Sequence, residues 1–158
     1  MTLAPIAATE LDHFQSFFRE QYVAERMHAD CLTRDEAEAF VTAQWRATLP
    51  RGTSTPNHHF FWGATPDGER IGLLWLHVDA LHQLVFVYQI LVFAPLRGRG
   101  HGRALLTAAE DFARQKAARA IALNVFTPNR TAIALYERAG FVAVSQHMAK
   151  VLERGAPR

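Results

Sequence analysis

The stretch "LVFAPLRGRGHGRAL", Leu91 to Leu105, decides how the chain is read. An apolar run closing on Pro95 reads as the end of a strand, because proline holds the preceding residue extended and donates nothing to a ladder. Leu105, Leu106, Ala109, Phe112 and Ala113 then recur at helical spacing, which predicts a helix from about Gly100 to Ala117. Between the two, Gly98, Gly100 and Gly102 alternate with Arg97, Arg99 and Arg103. A helix that starts directly after a strand points its first free amides, and the positive end of its dipole, outward. Glycines let an anion approach the backbone and arginines add charge. The pattern suits a pyrophosphate or similar polyanion, and a purely structural turn with solvent-facing arginines is the other reading these residues leave open. The Gly-Lys-Ser/Thr ending of a nucleotide triphosphatase loop is absent, as is the Gly-x-Gly-x-x-Gly spacing of a dinucleotide fold.

Upstream, Leu11, Phe14, Phe17, Phe18 and Tyr22 predict an amphipathic helix from Leu11 to about Ala29. A second helix lies in "LTRDEAEAFVTAQWRATL", opened by a Thr33 to Glu36 capping box. After the breaker-rich "PRGTSTPN", strands are expected at "HHFFWGA" and "IGLLWLHV", joined by the Asp67-Gly68 turn. "DALHQ" leads to "LVFVYQILVF", placed centrally in the sheet. Downstream, "AIALNVF" is a strand bounded by Pro128, "NRTAIALYERAG" a helix stopped by Gly140, and Phe141 opens a last strand whose second half is "HMAKVL". This order predicts an α/β layer protein in which helices cover a mixed, mostly antiparallel sheet.

The 158 residues, 49 % of them hydrophobic, are enough for a single domain, 1–158, with 153–158 expected as a flexible tail. A net charge of +2 gives no bulk argument for nucleic acid or membrane binding. The lone Cys31 can form no internal disulfide, and no metal-ligand spacing is present. "MTLAPIAATELDHF" lacks a basic segment followed by an apolar core, and Leu84 to Leu96 is too short to span a bilayer as a helix. A cytoplasmic protein is therefore expected.

"RGRGHGRALL" resembles the (Arg/Gln)-x-x-Gly-x-(Gly/Ala) signature of the GNAT superfamily of acyl-CoA-dependent N-acetyltransferases, carried by Arg97, Gly100 and Gly102. "LNVFTPNRTAIALYERAGF" is similar to the family's later strand, Asn-containing loop and helix. The two matches cover roughly Ile90 to Phe141 in the family's order. The resemblance implies a GNAT-like fold and acetyl-CoA as co-substrate, with no metal. It implies that Arg97, Gly98, Arg99, Gly100, His101, Gly102 and Arg103 hold the pyrophosphate. Main-chain groups of Leu91, Val92 and Phe93 would meet the pantetheine arm, and Asn129 would contact the cofactor or cap its helix. Tyr136 would be the acid that protonates the departing thiolate. A small-molecule, amino-acid or peptide amine is the implied acceptor, and a homodimer is compatible with the family.

The implied general base has no obvious owner. Many family members place an acid on the central strand, and the corresponding region of this chain offers Gln89, an amide that takes no proton usefully near neutral pH. Glu25, His77, Asp79, His82 or a chain of waters remain as candidates. His58 and His59 are adjacent on a strand, face opposite ways and make a poor metal pair. Tyr22, Glu25, Arg26, Trp45, Phe61, Trp62, Trp75 and Tyr88 are the candidates to shape the acceptor site, and Asn124 is a polar group inside an expected strand.

Overall fold

The computed structural model describes residues 1–150. Its sheet has five strands in sequential order: β1 (Thr2–Pro5), β2 (His58–Ala64), β3 (Arg70–Asp79), β4 (Leu84–Val92) and β5 (Ala120–Leu123). The first four are antiparallel neighbours and β5 joins β4 in parallel, so the mixed, mostly antiparallel sheet expected from the sequence is what forms. Four helices complete the fold: α1 (Leu11–Asp30), α2 (Arg34–Thr48), α3 (His101–Gln115) and α4 (Arg130–Arg138).

Alternation along the strands builds two apolar layers. Phe60 and Trp62 of β2 with Leu73 and Trp75 of β3 face α1 and meet Phe14 and Phe18. Phe14 is fully buried, its ring edge-on to Phe18 and Phe60 at 6.0 and 5.6 Å. On the opposite face Leu74, Leu76, Val85 and Val87 pack with Ala109 and Ala113 of α3. The capping box at Thr33 forms in both directions: the Glu36 amide donates to Thr33 Oγ1 at 3.3 Å and the Thr33 amide to the Glu36 carboxylate at 2.8 Å.

Two sequence expectations need correction, and one strand is additional to them. The edge strand β1 has no counterpart in the sequence reading, since four residues ending in proline carry no periodic signal, yet an edge position tolerates Pro5. The strand expected to reach Phe126 ends at Leu123, because β4 offers no partner beyond Val87. Residues 141–150 form neither helix nor strand, and Val142, Val144 and Met148 are exposed, so the last strand is not found there; a strand persists only through pairing. The final two residues of "HMAKVL" and the expected 153–158 tail lie outside the described residues.

The irregularity that positions the site lies in β4. Trp75 pairs with Gln89 but the next residue, Leu76, pairs with Val87, leaving Tyr88 as an extra residue. Such a bulge bends its strand and sends two successive side chains to one face. Gln89 therefore shares the α1 side with Tyr88, whose ring stacks on Trp75 at 4.5 Å. Beyond the bulge, β3 and β4 run so close that a side chain on Gly72 would overlap the Leu91 carbonyl oxygen. Gly72→Ala should accordingly cost about 1–3 kcal/mol of stability by forcing the strands apart, read as a lower urea midpoint with unchanged slope; an unchanged midpoint would mean that the strands can part freely.

Candidate functional site

Parallel pairing between β4 and β5 stops at Val87 with Leu123, whereas β4 continues beside β3 to Val92. From Gln89 onward the β5-facing edge of β4 is thus a row of backbone groups available to an extended ligand. The strands part here because the bulge turns β4 while Asn124 to Phe126 leave the sheet. A cleft of about 1130 Å³ opens between them, floored by Gln89 to Val92 and walled by the start of α3, the loop after β5 and α4.

At one end lies the glycine turn. Gly98 and Gly100 hold φ of 76° and 84°, left-handed values that favour glycine, and a Cβ on either would point into open space. The first bond of α3 runs from the Ala104 amide to the Gly100 carbonyl at 3.1 Å, so the amides of His101, Gly102 and Arg103 precede it. Gly102 has a packing task as well, since its Cβ would crowd Leu135 of α4 at 3.2 Å. Two arginines brace the backbone: Arg97 Nε donates to the Val92 carbonyl at 3.0 Å, and Arg103 donates to the Arg138 carbonyl at the end of α4 at 3.1 Å. These contacts give both side chains a structural share beside any role toward an anion.

Asn129 caps α4, its Oδ1 accepting from the Ala132 amide at 3.1 Å, which leaves its side-chain amine to donate elsewhere. Tyr136 lines the cleft two residues before the end of α4, with Phe141 at 5.8 Å ring to ring. Burial holds its phenol above the ordinary value, so the hydroxyl keeps its proton well past neutral pH.

Of the residues singled out for cofactor binding, all but Phe93 and Arg99 line this cleft. Phe93 instead packs on the α1 side against Phe17 at 4.9 Å. Its rank in the apolar run could not show that the strand ends one residue earlier. The sequence did not mark Leu96, Thr131 or Arg138, which also line the cleft; the spacing of Thr131, Leu135 and Arg138 along the last helix was the available signal.

A second pocket of about 140 Å³ lies between α1, α2 and the bulge, lined by Phe18, Tyr22, Trp45, Trp75 and Tyr88 with Arg19, Gln44 and Thr48. Val87, Tyr88, Gln89 and Asn124 line both spaces, so the cleft and the pocket meet at the bulge. Asn124 is therefore a loop residue at this junction, not a polar group inside a strand. Phe61 and Trp62 lie elsewhere, against Phe112 and in the core respectively, and Arg26 pairs with Asp30 and covers Phe40.

The histidine candidates for a base line neither space. His82 bonds Asp79 at 2.6 Å on the exposed β3–β4 turn. His77 lies ring to ring with His58 at 4.5 Å, and His58 accepts from Trp75 Nε1 at 2.9 Å. Burial, with His77 and His59 adding repulsion, lowers the His58 pKa to about 4, leaving it neutral at physiological pH. His59 faces the other side, against Phe112 at 5.0 Å. Among the described residues no group of His, Cys, Asp and Glu is placed to hold a metal, and no helix is long and apolar enough to cross a membrane.

Comparison with known proteins agrees with this geometry. The model of the acetyltransferase (GNAT) family matches residues 11–141. The uncharacterized N-acetyltransferases YycN and YdgE of Bacillus subtilis are each 30 % identical, over 95 % and 96 % of this chain and 97 % and 98 % of their own lengths. The crystal structure of YycN superposes with a TM-score of 0.89 at 29 % identity, over 97 % of this chain and 99 % of that one. The spermidine/spermine N-acetyltransferase SpeG from Vibrio cholerae shares the fold, with a TM-score of 0.66 at 19 % identity over 98 % of this chain and 86 % of SpeG. A bulged central strand, a parted partner strand and a glycine-led helix are thus set in a chain that belongs to the GNAT family of acetyltransferases.

Proposed function

We propose that this protein transfers the acetyl group of acetyl-CoA to a primary amine of a small molecule, amino acid or peptide by direct attack. The observation that carries the reading is the convergence, in one cleft, of the free edge of β4, the glycine turn leading into α3, and the Tyr136 side chain. The residues present fit such a co-substrate. The open space over Gly98 and Gly100 admits a pyrophosphate against the α3 amides, with Arg97, His101 and Arg103 around it. The backbone of Leu91 and Val92 offers an extended ladder to the pantetheine amides, as a sheet edge offers one to an added strand. Bound there, acetyl-CoA supplies an activated thioester. The chain supplies orientation, donors near the carbonyl and a proton.

Tyr136 is the acid in this scheme. Burial raises its pKa, so it is fully protonated at neutral pH and can give its proton to sulfur as the C–S bond breaks. Gln89 is the observation that favours the rival reading, an acyl-CoA-binding domain without turnover, because it places an amide where a proton acceptor is expected.

Incubation with acetyl-CoA and a panel of amines, followed by free-thiol detection, separates the two. Turnover on at least one amine is expected, and coenzyme A binding with no turnover would favour the binding domain. Tyr136→Phe should lower kcat by roughly 10²-fold or more while leaving coenzyme A affinity intact; an unchanged kcat would remove Tyr136 from the mechanism.

Gly100 offers a separate test. Valine at φ 84° would strain the backbone whatever the ligand does, whereas asparagine tolerates left-handed geometry. Gly100→Asn should therefore keep its thermal midpoint near that of the wild type yet weaken coenzyme A binding by about tenfold or more, measured by calorimetric titration. Unaltered affinity would restore the purely structural reading of the turn.

A further inference from the structure

Acetyl transfer leaves a proton on the acceptor nitrogen that must go somewhere before the amide is formed. The central strand gives it no destination, because Gln89 is an amide. Among the described residues one carboxylate lines either of the two spaces that meet at the bulge, and it is Glu25 of α1. We propose that Glu25 is the general base that receives the proton of the acceptor amine, an inference that rests on the acetyltransferase reading above.

The placement follows from α1. Gln21 and Glu25 stand one turn apart and both line the cleft, with Gln21 Nε2 donating to Glu25 Oε1 at 2.8 Å. Tyr22 lies three residues before Glu25 on the neighbouring face and lines the small pocket, its hydroxyl donating to Gln44 at 2.8 Å. The Tyr22 ring also approaches Phe126, of the loop that leaves β5, at 6.3 Å. This stretch of α1 therefore spans both spaces beside the place where they join, with Gln21 and Glu25 turned to the cleft and Tyr22 to the pocket.

The groups facing this part of the cleft do little to Glu25's charge. Gln21 on its own helix is a neutral donor, and Tyr88, Gln89 and Asn124 across the junction are neutral as well. Arg26 is engaged by Asp30, Arg97 lies in the glycine turn bonded to the end of β4, and His101, Arg103 and Arg138 belong to the α3 and α4 walls. What acts on Glu25 is burial, which raises its pKa, with the Gln21 bond opposing. A carboxylate with a raised pKa is a stronger base than an exposed one and is still ionised when the solution is less acidic than that value.

The step balances in simple terms. The amine nitrogen forms its bond to the acetyl carbon and becomes acidic, and its proton passes to a Glu25 oxygen directly or through one water. The carbon–sulfur bond breaks, its electron pair stays on sulfur, and Tyr136 protonates the thiolate. Glu25 releases its proton and Tyr136 regains one from solvent through the open cleft, so no further reactant is consumed.

The test is the pH profile of kcat at saturating amine for wild type, Glu25→Gln and Glu25→Ala, with coenzyme A affinity and thermal midpoints measured in parallel. The wild-type rate should fall as pH drops through the raised Glu25 value, because the protonated carboxyl accepts nothing. Glu25→Gln should lose roughly 10²-fold at neutral pH and lack that acid limb, with coenzyme A affinity unchanged. Formate should restore part of the activity of Glu25→Ala and none to Glu25→Gln, a rescue that a merely structural role would not produce. An acid limb and rate in Glu25→Gln equal to wild type would overturn this proposal alone. Wild-type protein that binds coenzyme A and acetylates no amine would overturn the transferase reading and this one with it.

Discussion

The extra residue in β4 is the constraint on which the rest depends. A regular β4 would keep its ladder with β5 along its whole length, and no cleft would open. With Tyr88 inserted opposite the Trp75–Leu76 step, the strand turns and its pairing with β5 ends at Val87, leaving Gln89 to Val92 with one side free. Unpaired strand edges are usually a liability. Here the edge lies inside a cleft, where a ligand carrying amides along an extended arm can complete it. The same insertion brings Tyr88 and Gln89 to the α1 face, which is why the small aromatic pocket opens at the place where the cleft begins.

The turn after β4 combines conformational and packing demands that a single role would not impose. Gly100 needs its freedom for a left-handed φ at the start of α3, while Gly102 is small because Leu135 of α4 lies against it. Arg97 and Arg103 are tied to backbone carbonyls at the ends of β4 and α4. Their charges are thereby held near the first amides of α3 with less side-chain entropy left to lose on ligand binding. An anion seated there would meet donors already oriented by the fold.

Most elements were legible because their signals are local. Apolar periodicity and the Thr33 capping box defined α1, α2 and α3, and the glycine turn with the Asn129 to Gly140 helix marked one end of the cleft and its tyrosine. What escaped depends on pairing between distant residues. The four-residue strand β1 exists only because β2 presents an edge, and the bulge at Tyr88 is a mismatch between two strands, each of which reads as regular by itself. Phe93 and Arg99 were assigned to the site by the family resemblance; neither lines the cleft, and the Phe93 side chain packs on the α1 layer. Asn124 looked misplaced in an apolar strand and is ordinary in the loop that bulging creates.

The acid and the base of the proposed reaction illustrate how one physical effect can serve two opposite needs. Burial disfavours the charged form of any acid, so it raises the pKa of both Tyr136 and Glu25. For a phenol, already neutral at physiological pH, this only secures the proton that the leaving thiolate requires. For a carboxylate it strengthens proton affinity without requiring a neighbouring charge, and Gln21 moderates the effect through one hydrogen bond. An acid at Gln89, held against Trp75 and Tyr88 on the sheet, would need its own compensation for lost solvent. On α1 the carboxylate meets the same cost, which shows as its raised pKa with Gln21 as its one compensating donor, and the bulge itself is left with the neutral groups Tyr88 and Gln89.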